Sequence, residues 1–267
     1  MKKWYFVFAI LIGLATLFDE PIAMIVFNRD SLFANLFYAF GELPSLILGA
    51  LAWLWTSLYL KKHNHVSWKW TCVFYLAFMI GIFVQPPRYF NHFEYWMLII
   101  PVILSLITFR LFDKVTDEQL NRYHLHFLII GLAILFSILI PQLLKLIWER
   151  PRPYLVFSGI DFQAWYIGLN LTFDNATKSF PSGHSAIAAS LISLTVIKTE
   201  LKDRTYKLLK FILFLYILMM MISRMIRGDH YLSDVLFGAV IPYLIYVHVQ
   251  NVSMKDKNKL WKMFDSI

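Results

Sequence analysis

The feature that most constrains this chain is a series of eight long apolar runs without a charged residue. They are Trp4–Phe18, Leu43–Leu60, Trp70–Pro87, Tyr95–Phe109, Phe127–Leu144, Ser179–Ile197, Phe211–Ser223 and Val235–Met254. Several match the roughly 17–25 residues that a membrane-crossing helix needs. Trp4–Phe18 and Phe211–Ser223 are short, and the second is flanked by Lys210 and Arg224, whose long stems can snorkel and extend it. Composition agrees: 59% of the 267 residues are apolar and 16% charged, with 24 Phe and nine Trp. Soluble domains run nearer 45–50% apolar and about 25% charged. A water-soluble enzyme is therefore excluded, as are a disordered chain and a collagen-like repeat. The expected fold is all-α, a polytopic transmembrane helical bundle of about eight spans forming one integral membrane domain over residues 1–267.

The net charge of +8 would suggest nucleic acid in a soluble protein. Here it has a simpler cause. If the chain starts inside, 17 of the 25 Lys and Arg residues fall in alternate, inward-facing segments, including Lys61, Lys62 and Lys69 and the basic tail over 255–267. That asymmetry predicts both termini in the cytoplasm and no nucleic-acid partner. Met1-Lys2-Lys3 before an apolar run resembles a signal peptide, but no small-x-small cleavage site precedes Asp19-Glu20-Pro21, so an uncleaved first helix is expected. Cys72 is the only cysteine and lies inside an apolar run, which rules out an intrachain disulfide.

Three clusters then fall on the same, outer side. Lys145 occupies the last turns of the fifth run, and Pro151 and Pro153 end the helix so that Arg152 is delivered just beyond it. Pro181-Ser182-Gly183-His184 opens the sixth run, with proline expected in the first turn. Backbone amides of Ser182, Gly183 and His184 at a helix N-terminus make an anion site. Ser223-Arg224 closes the seventh run. Gly228-Asp229 reads as a turn and N-cap for the eighth, which sets His230 and Asp234 four apart on one helix face. An Asp there can hold an imidazole in one tautomer and stabilise its cation.

Taken together, three cations, two histidines, one carboxylate and a helix N-terminus suit phosphoryl transfer. Lys145, Arg152 and Arg224 balance a phosphate's charge, a neutral His attacks phosphorus, and a protonated His supplies the leaving oxygen with its proton. Arg150 and Arg227, beside these residues, are candidates to extend the anion site toward a second phosphate or simply to snorkel. His63, His65, His124 and His126 read as solvated loop residues without a coherent ligand set. The loop 154–180, with Tyr154, Phe157, Phe162, Trp165 and Tyr166, suits a segment at headgroup level.

The pattern Lys145-x6-Arg152-Pro153, Pro181-Ser182-Gly183-His184, Ser223-Arg224-x5-His230-x3-Asp234 resembles the type 2 phosphatidic acid phosphatase (PAP2) superfamily, matching all eleven fixed positions of its tripartite signature. The resemblance implies that His230 is a nucleophile forming a phosphohistidine, oriented by Asp234, and that His184 is the general acid. It implies that Lys145, Arg152, Ser182, Gly183 and Arg224 hold the phosphate, with no metal and no cofactor. It further implies a six-span core, expected over 113–254, to which residues 1–112 add two spans.

The expected activity is hydrolysis of a membrane lipid phosphate or pyrophosphate at the outer face of a bacterial plasma membrane. Undecaprenyl pyrophosphate is the favoured substrate, because an outward-facing site fits recycling of a cell-wall carrier. Phosphotransfer to another lipid uses the same residues and stays open at this point. A transporter is disfavoured because no charge interrupts the middle of any run. His230 is expected at a surface cleft, so that His230→Ala leaves folding intact. The oligomeric state is not legible in the sequence.

Overall fold

The computed structural model describes residues 2–90, 92–112, 114–171 and 173–255. The expected basic tail lies, beyond Lys255, outside them. The described residues form α1 (Lys2–Val26), α2 (Leu32–Phe40), α3 (Leu43–Lys62), α4 (Trp68–Tyr89), α5 (Ile99–Phe112), α6 (Asp117–Ile147), α7 (Pro153–Val156), α8 (Gly183–Ala189), α9 (Asp203–Ile226) and α10 (Leu232–Lys255). Short 3-10 helices cover Tyr95–Leu98, Asn175–Thr177 and Ser190–Glu200. No strand forms among the described residues; only isolated bridges such as Arg150 to Lys178 occur. Seven helical stretches are long and apolar enough to cross a membrane. The chain is an all-α, multi-pass membrane protein.

Several of the expected runs differ in extent. The first continues through Asp19, Glu20 and Pro21 to Val26, giving an apolar stretch Phe6–Val26. Asp19 ends the uncharged run in the sequence but is only 2% exposed, because it meets a buried arginine described below. The seventh run lengthens to Asp203–Ile226, with Arg224 buried in its last turn. The run Ser179–Ile197 forms the short α8 and the 3-10 segment Ser190–Glu200, which leaves helical geometry at Ile197. It is not among the seven long helices.

The chain divides into two compact units, each assembled from separated segments. One comprises residues 1–41, 136–190 and 211–243, the other 42–135, 191–210 and 244–267. In the second unit a Cβ added to Gly49 would lie 2.3 Å from Phe78, so α3 and α4 touch where no side chain intervenes. Trp53 is fully buried, its indole 3.2 Å from where a Gly131 side chain would begin. α6 opens on a reciprocal capping box, in which the Thr116 hydroxyl accepts from the Gln119 amide and Gln119 Oε1 accepts from the Thr116 amide. His124 and His126 therefore sit within α6 rather than in a loop, and His124 stacks on Tyr59 with centroids 4.4 Å apart.

The first unit contains every residue of the three clusters. Its loop from Trp148 to Pro181 folds over the unit's own helices. Trp165 donates its indole N–H to Thr16 of α1 at 3.0 Å and packs on Phe180 and Phe237. Phe162 meets Tyr231 edge-on. Tyr166 alone of the five expected interfacial aromatics is largely exposed, at 58%.

Candidate active site

Ser182 is the N-cap of α8: its hydroxyl accepts from the Ser185 amide at 3.4 Å. Pro181, joined to Phe180 by a cis peptide, precedes the cap instead of occupying the first turn. The Ser182 amide donates to the Asp234 carbonyl at 3.0 Å, so it serves the fold and is not offered to an anion. Gly183 begins the helix. A Cβ there would sit 3.3 Å from Lys145 Nζ, which places the ammonium of α6 against the start of α8. Lys145 is 8% exposed. α8 in turn lies close to α10, since a side chain at Gly238 would come 2.5 Å from the Ser182 carbonyl.

α10 starts at Leu232, three residues beyond the Asp229 cap expected from the sequence. Tyr231 takes the cap position: its carbonyl accepts from the Val235 amide, and its amide donates to Asp234 Oδ2 at 2.9 Å. Asp234 thus closes the first turn from within, as the acidic residue of a capping box does. Its Oδ2 also accepts from Ser179 at 2.6 Å. His230 precedes the helix, with Nδ1 3.7 Å from Asp234 Oδ2. That is close enough for charge interaction but longer than a hydrogen bond. His230 is 1% exposed and Asp234 fully buried, so the expected surface cleft is a buried site.

Arg150 is neither a second phosphate ligand nor a snorkelling residue. It is fully buried, with Nη1 2.5 Å from Asp234 and Nη2 2.9 Å from Asp19 of α1. Its Nη1 also donates to Ser233, its Nε donates to the Gln163 carbonyl, and its guanidinium lies 4.1 Å from the Tyr231 ring centre. Burial opposes its charge, but the Asp234 and Asp19 carboxylates outweigh that and raise its pKa. All of its visible interactions are structural.

The remaining cations gather around two residues that the sequence did not single out for this role. Asp229 pairs with Arg224 at the end of α9, lies 3.1 Å from Arg227 Nε and 3.8 Å from Arg152 Nη1. Tyr38 of α2 stacks on His184, with ring centroids 5.6 Å apart. The guanidinium carbons of Arg224 and Arg227 lie 4.8 and 3.6 Å from the centre of the same ring. Arg227 also donates to Asn35 one turn earlier on α2. Arg152 caps α7 and donates to the Asn175 carbonyl at 3.0 Å. Only the spacing of Tyr38 and Asn35 on one helix face offered a signal, and nothing in it pointed to residues nearly two hundred positions away.

Lys145 and Arg152 lie within electrostatic reach of both histidine rings. Burial, reinforced by those two cations and opposed by Asp234, lowers the His230 pKa from its ordinary value to about 3. His184, the first-turn residue of α8, is also held well below the usual imidazole range, by burial and then by Arg224, His230, Lys145 and Arg152. Both rings are therefore neutral at physiological pH while no anion is bound. The cluster can receive a multiply charged oxyanion beside a neutral imidazole, which is the setting for attack on phosphorus.

A cation-lined pair of histidines, His230 buried and His184 partly exposed, on a multi-pass helical scaffold suits a bound phosphate group. The family model described as PAP2 superfamily matches residues 126–257. The match supports membership of that superfamily, which implies phosphatase-type chemistry in general. No curated protein sequence and no solved structure matches it. The matched segment contains Lys145, Arg152, Ser182, Gly183, His184, Arg224, His230 and Asp234, but not Asp19, Asn35 or Tyr38.

Proposed function

We propose that the protein hydrolyses a membrane lipid phosphate or pyrophosphate through a phosphohistidine on His230. The observation that carries this reading is the gathering of Lys145, Arg152, Arg224 and the two neutral imidazoles in one cluster, with Lys145, Arg224 and His230 buried and Arg152 and His184 partly exposed. Nδ1 of His230 faces Asp234, which leaves Nε2 for phosphorus. In the first step Nε2 forms a bond to phosphorus as the bond to the leaving oxygen breaks. Asp234 then faces the side of the ring that becomes cationic, while His184 gives its proton to the leaving oxygen. The bound headgroup favours that proton, because its negative charge offsets Arg224, Lys145 and Arg152. Water next attacks phosphorus as the bond from phosphorus to Nε2 breaks, His184 takes the proton that the water gives up, and phosphate leaves with His230 neutral again.

The Gly183 amide, Lys145, Arg152 and Arg224 hold the oxyanion in this scheme, with Ser182 shaping the start of α8. The substrate head reaches the cluster from the outer leaflet while its tails stay in lipid. Both termini lie in the cytoplasm of a bacterial cell, and undecaprenyl pyrophosphate is the substrate we favour. The test is phosphate release by purified protein from a panel of lipid phosphates and pyrophosphates in detergent, with EDTA present and no acceptor lipid. Release by the native chain and none by His230→Ala is expected. Phosphate transferred only to an added lipid, or release that requires a divalent ion, would overturn the reading.

A further inference from the structure

We infer that Asp19, on the N-terminal helix and outside the matched family segment, is a positioning residue for His230. It acts through the buried bridge Asp19–Arg150–Asp234, and the inference rests on the reading of His230 as the nucleophile.

The bridge is continuous and buried. Asp19, Arg150, Ser233 and Asp234 are each at most 2% exposed. One Asp19 oxygen accepts from the Ser233 amide at 2.9 Å. The other accepts from the Ser233 hydroxyl and from Arg150 Nη2. Arg150 Nη1 donates both to that hydroxyl, at 2.8 Å, and to Asp234 Oδ1 at 2.5 Å. Ser233 and Asp234 are the second and third residues of α10, immediately after His230-Tyr231. Asp19 therefore grips the same helix turn three times, through the backbone and the hydroxyl of Ser233 and through Arg150. These contacts fix where Asp234 Oδ2 stands relative to His230 Nδ1.

Charge sharing gives the bridge a catalytic consequence. Arg150 sits between two carboxylates, so neither one alone neutralises it. With Asp19 made neutral, Arg150 has Asp234 as its only anionic contact among the described residues. The Asp234 charge is then drawn toward Arg150 and stabilises the His230 ring less as that ring gains positive charge. The loss falls on the chemical step, because no bridge residue is needed to hold the substrate phosphate. A purely structural role would instead lower stability and leave the turnover of the surviving folded protein unchanged.

The experiment compares native protein, Asp19→Asn, Asp19→Glu and Ser233→Ala, each purified in detergent and confirmed folded by thermal unfolding. For Asp19→Asn, kcat on a lipid phosphate is expected to fall about tenfold or more with KM within about twofold, as for an interaction made mainly in the transition state. Asp19→Glu should recover part of the loss. Unchanged kcat in folded Asp19→Asn overturns the proposal. If Asp19→Asn does not fold, Ser233→Ala decides: a kcat loss at constant KM supports the bridge, and native kcat overturns it. A second readout needs no turnover. In histidine-labelled protein the nitrogen-15 signals of His230, assigned with His230→Gln, should shift in Asp19→Asn, and an unshifted signal overturns the proposal. Native protein inactive on every lipid phosphate would count against the proposed function, while the nitrogen-15 comparison still decides the bridge.

Discussion

The guanidinium of Arg227 lies 3.6 Å from the centre of the Tyr38 ring, and Arg224 and His184 approach the same ring. One aromatic side chain from α2 thus orders two cations and one histidine of the cluster. A cation over an aromatic face contributes about 0.5–2 kcal/mol. Tyr38→Ala is expected to lower kcat/KM roughly tenfold or more by leaving both arginines and His184 less ordered. Tyr38→Phe keeps the ring face and should retain most of the activity. Steady-state kinetics of the two variants check this; equal losses would assign the effect to the hydroxyl instead.

Asp234 carries the fold as well as its part in the proposed chemistry. It takes the Arg150 ion pair, the Ser179 hydroxyl and the Tyr231 amide, whereas His230 Nδ1 has no hydrogen-bond partner among the described residues. Removing one partner of a buried ion pair costs about 3–5 kcal/mol. Asp234→Asn should therefore lower both turnover and the unfolding temperature, and His230→Ala should abolish turnover with a smaller drop in Tm. Thermal unfolding in detergent ranks the two; a larger Tm loss for His230→Ala would contradict the assignment of Asp234 as the structural hub.

Two glycines separate ligand placement from helix packing. A Cβ at Gly183 meets the mobile end of Lys145 at 3.3 Å, so Gly183→Ala should displace the ammonium and raise KM while the fold survives. A Cβ at Gly238 meets the Ser182 backbone carbonyl at 2.5 Å, which cannot yield without moving α8 or α10. Gly238→Ala should lower Tm as well as activity. Parallel measurement of KM and Tm distinguishes the two outcomes.

The depressed His230 pKa makes a signed statement about acid. The folded protein holds this ring neutral down to about pH 3, whereas the unfolded chain protonates it near its ordinary value of about 6.5. Between those values the unfolded state binds more protons, so His230 reduces stability progressively as pH falls below about 6.5. By pH 5 the loss is about 2 kcal/mol at 1.4 kcal/mol per pH unit. Unfolding of native protein and His230→Gln at pH 7.5 and pH 5 should show a steeper acid loss in the native chain. Equal slopes would remove His230 as the source.

Much of this arrangement was legible before any coordinates. The eight fixed polar positions of the three clusters could be named because each lies in a short local pattern beside an apolar run. Helix type followed from the runs themselves, and seven of the eight expected runs lie in the long helices, the exception being Ser179–Ile197. What escaped notice depended on partners distant in the chain. Asp19 looked like the end of a span because a bare charge is costly in lipid, and its compensation by Arg150 is invisible along the sequence. Arg150 reads as a candidate anion ligand because it stands beside Arg152 and Lys145 in the first cluster. Tyr38 and Asn35 lie in an unremarkable apolar helix, and their relation to Arg224 and Arg227 exists only after folding. Asp229 reads as a cap because Gly228-Asp229 is good turn chemistry, whereas the helix starts at Leu232 and frees that carboxylate for three arginines.

The bond between Asp19 and Arg150 spans 131 positions of sequence. During synthesis, then, the first helix enters the bilayer long before the ribosome has made its counter-ion. Through the insertion of every intervening segment that carboxylate must be met by water, by a proton or by the insertion machinery. The helix that carries Asp19 can reach its final seat only late, once Ser233 and Asp234 at the start of α10 have been made, so the cluster closes only after α9 and the first turn of α10 have arrived.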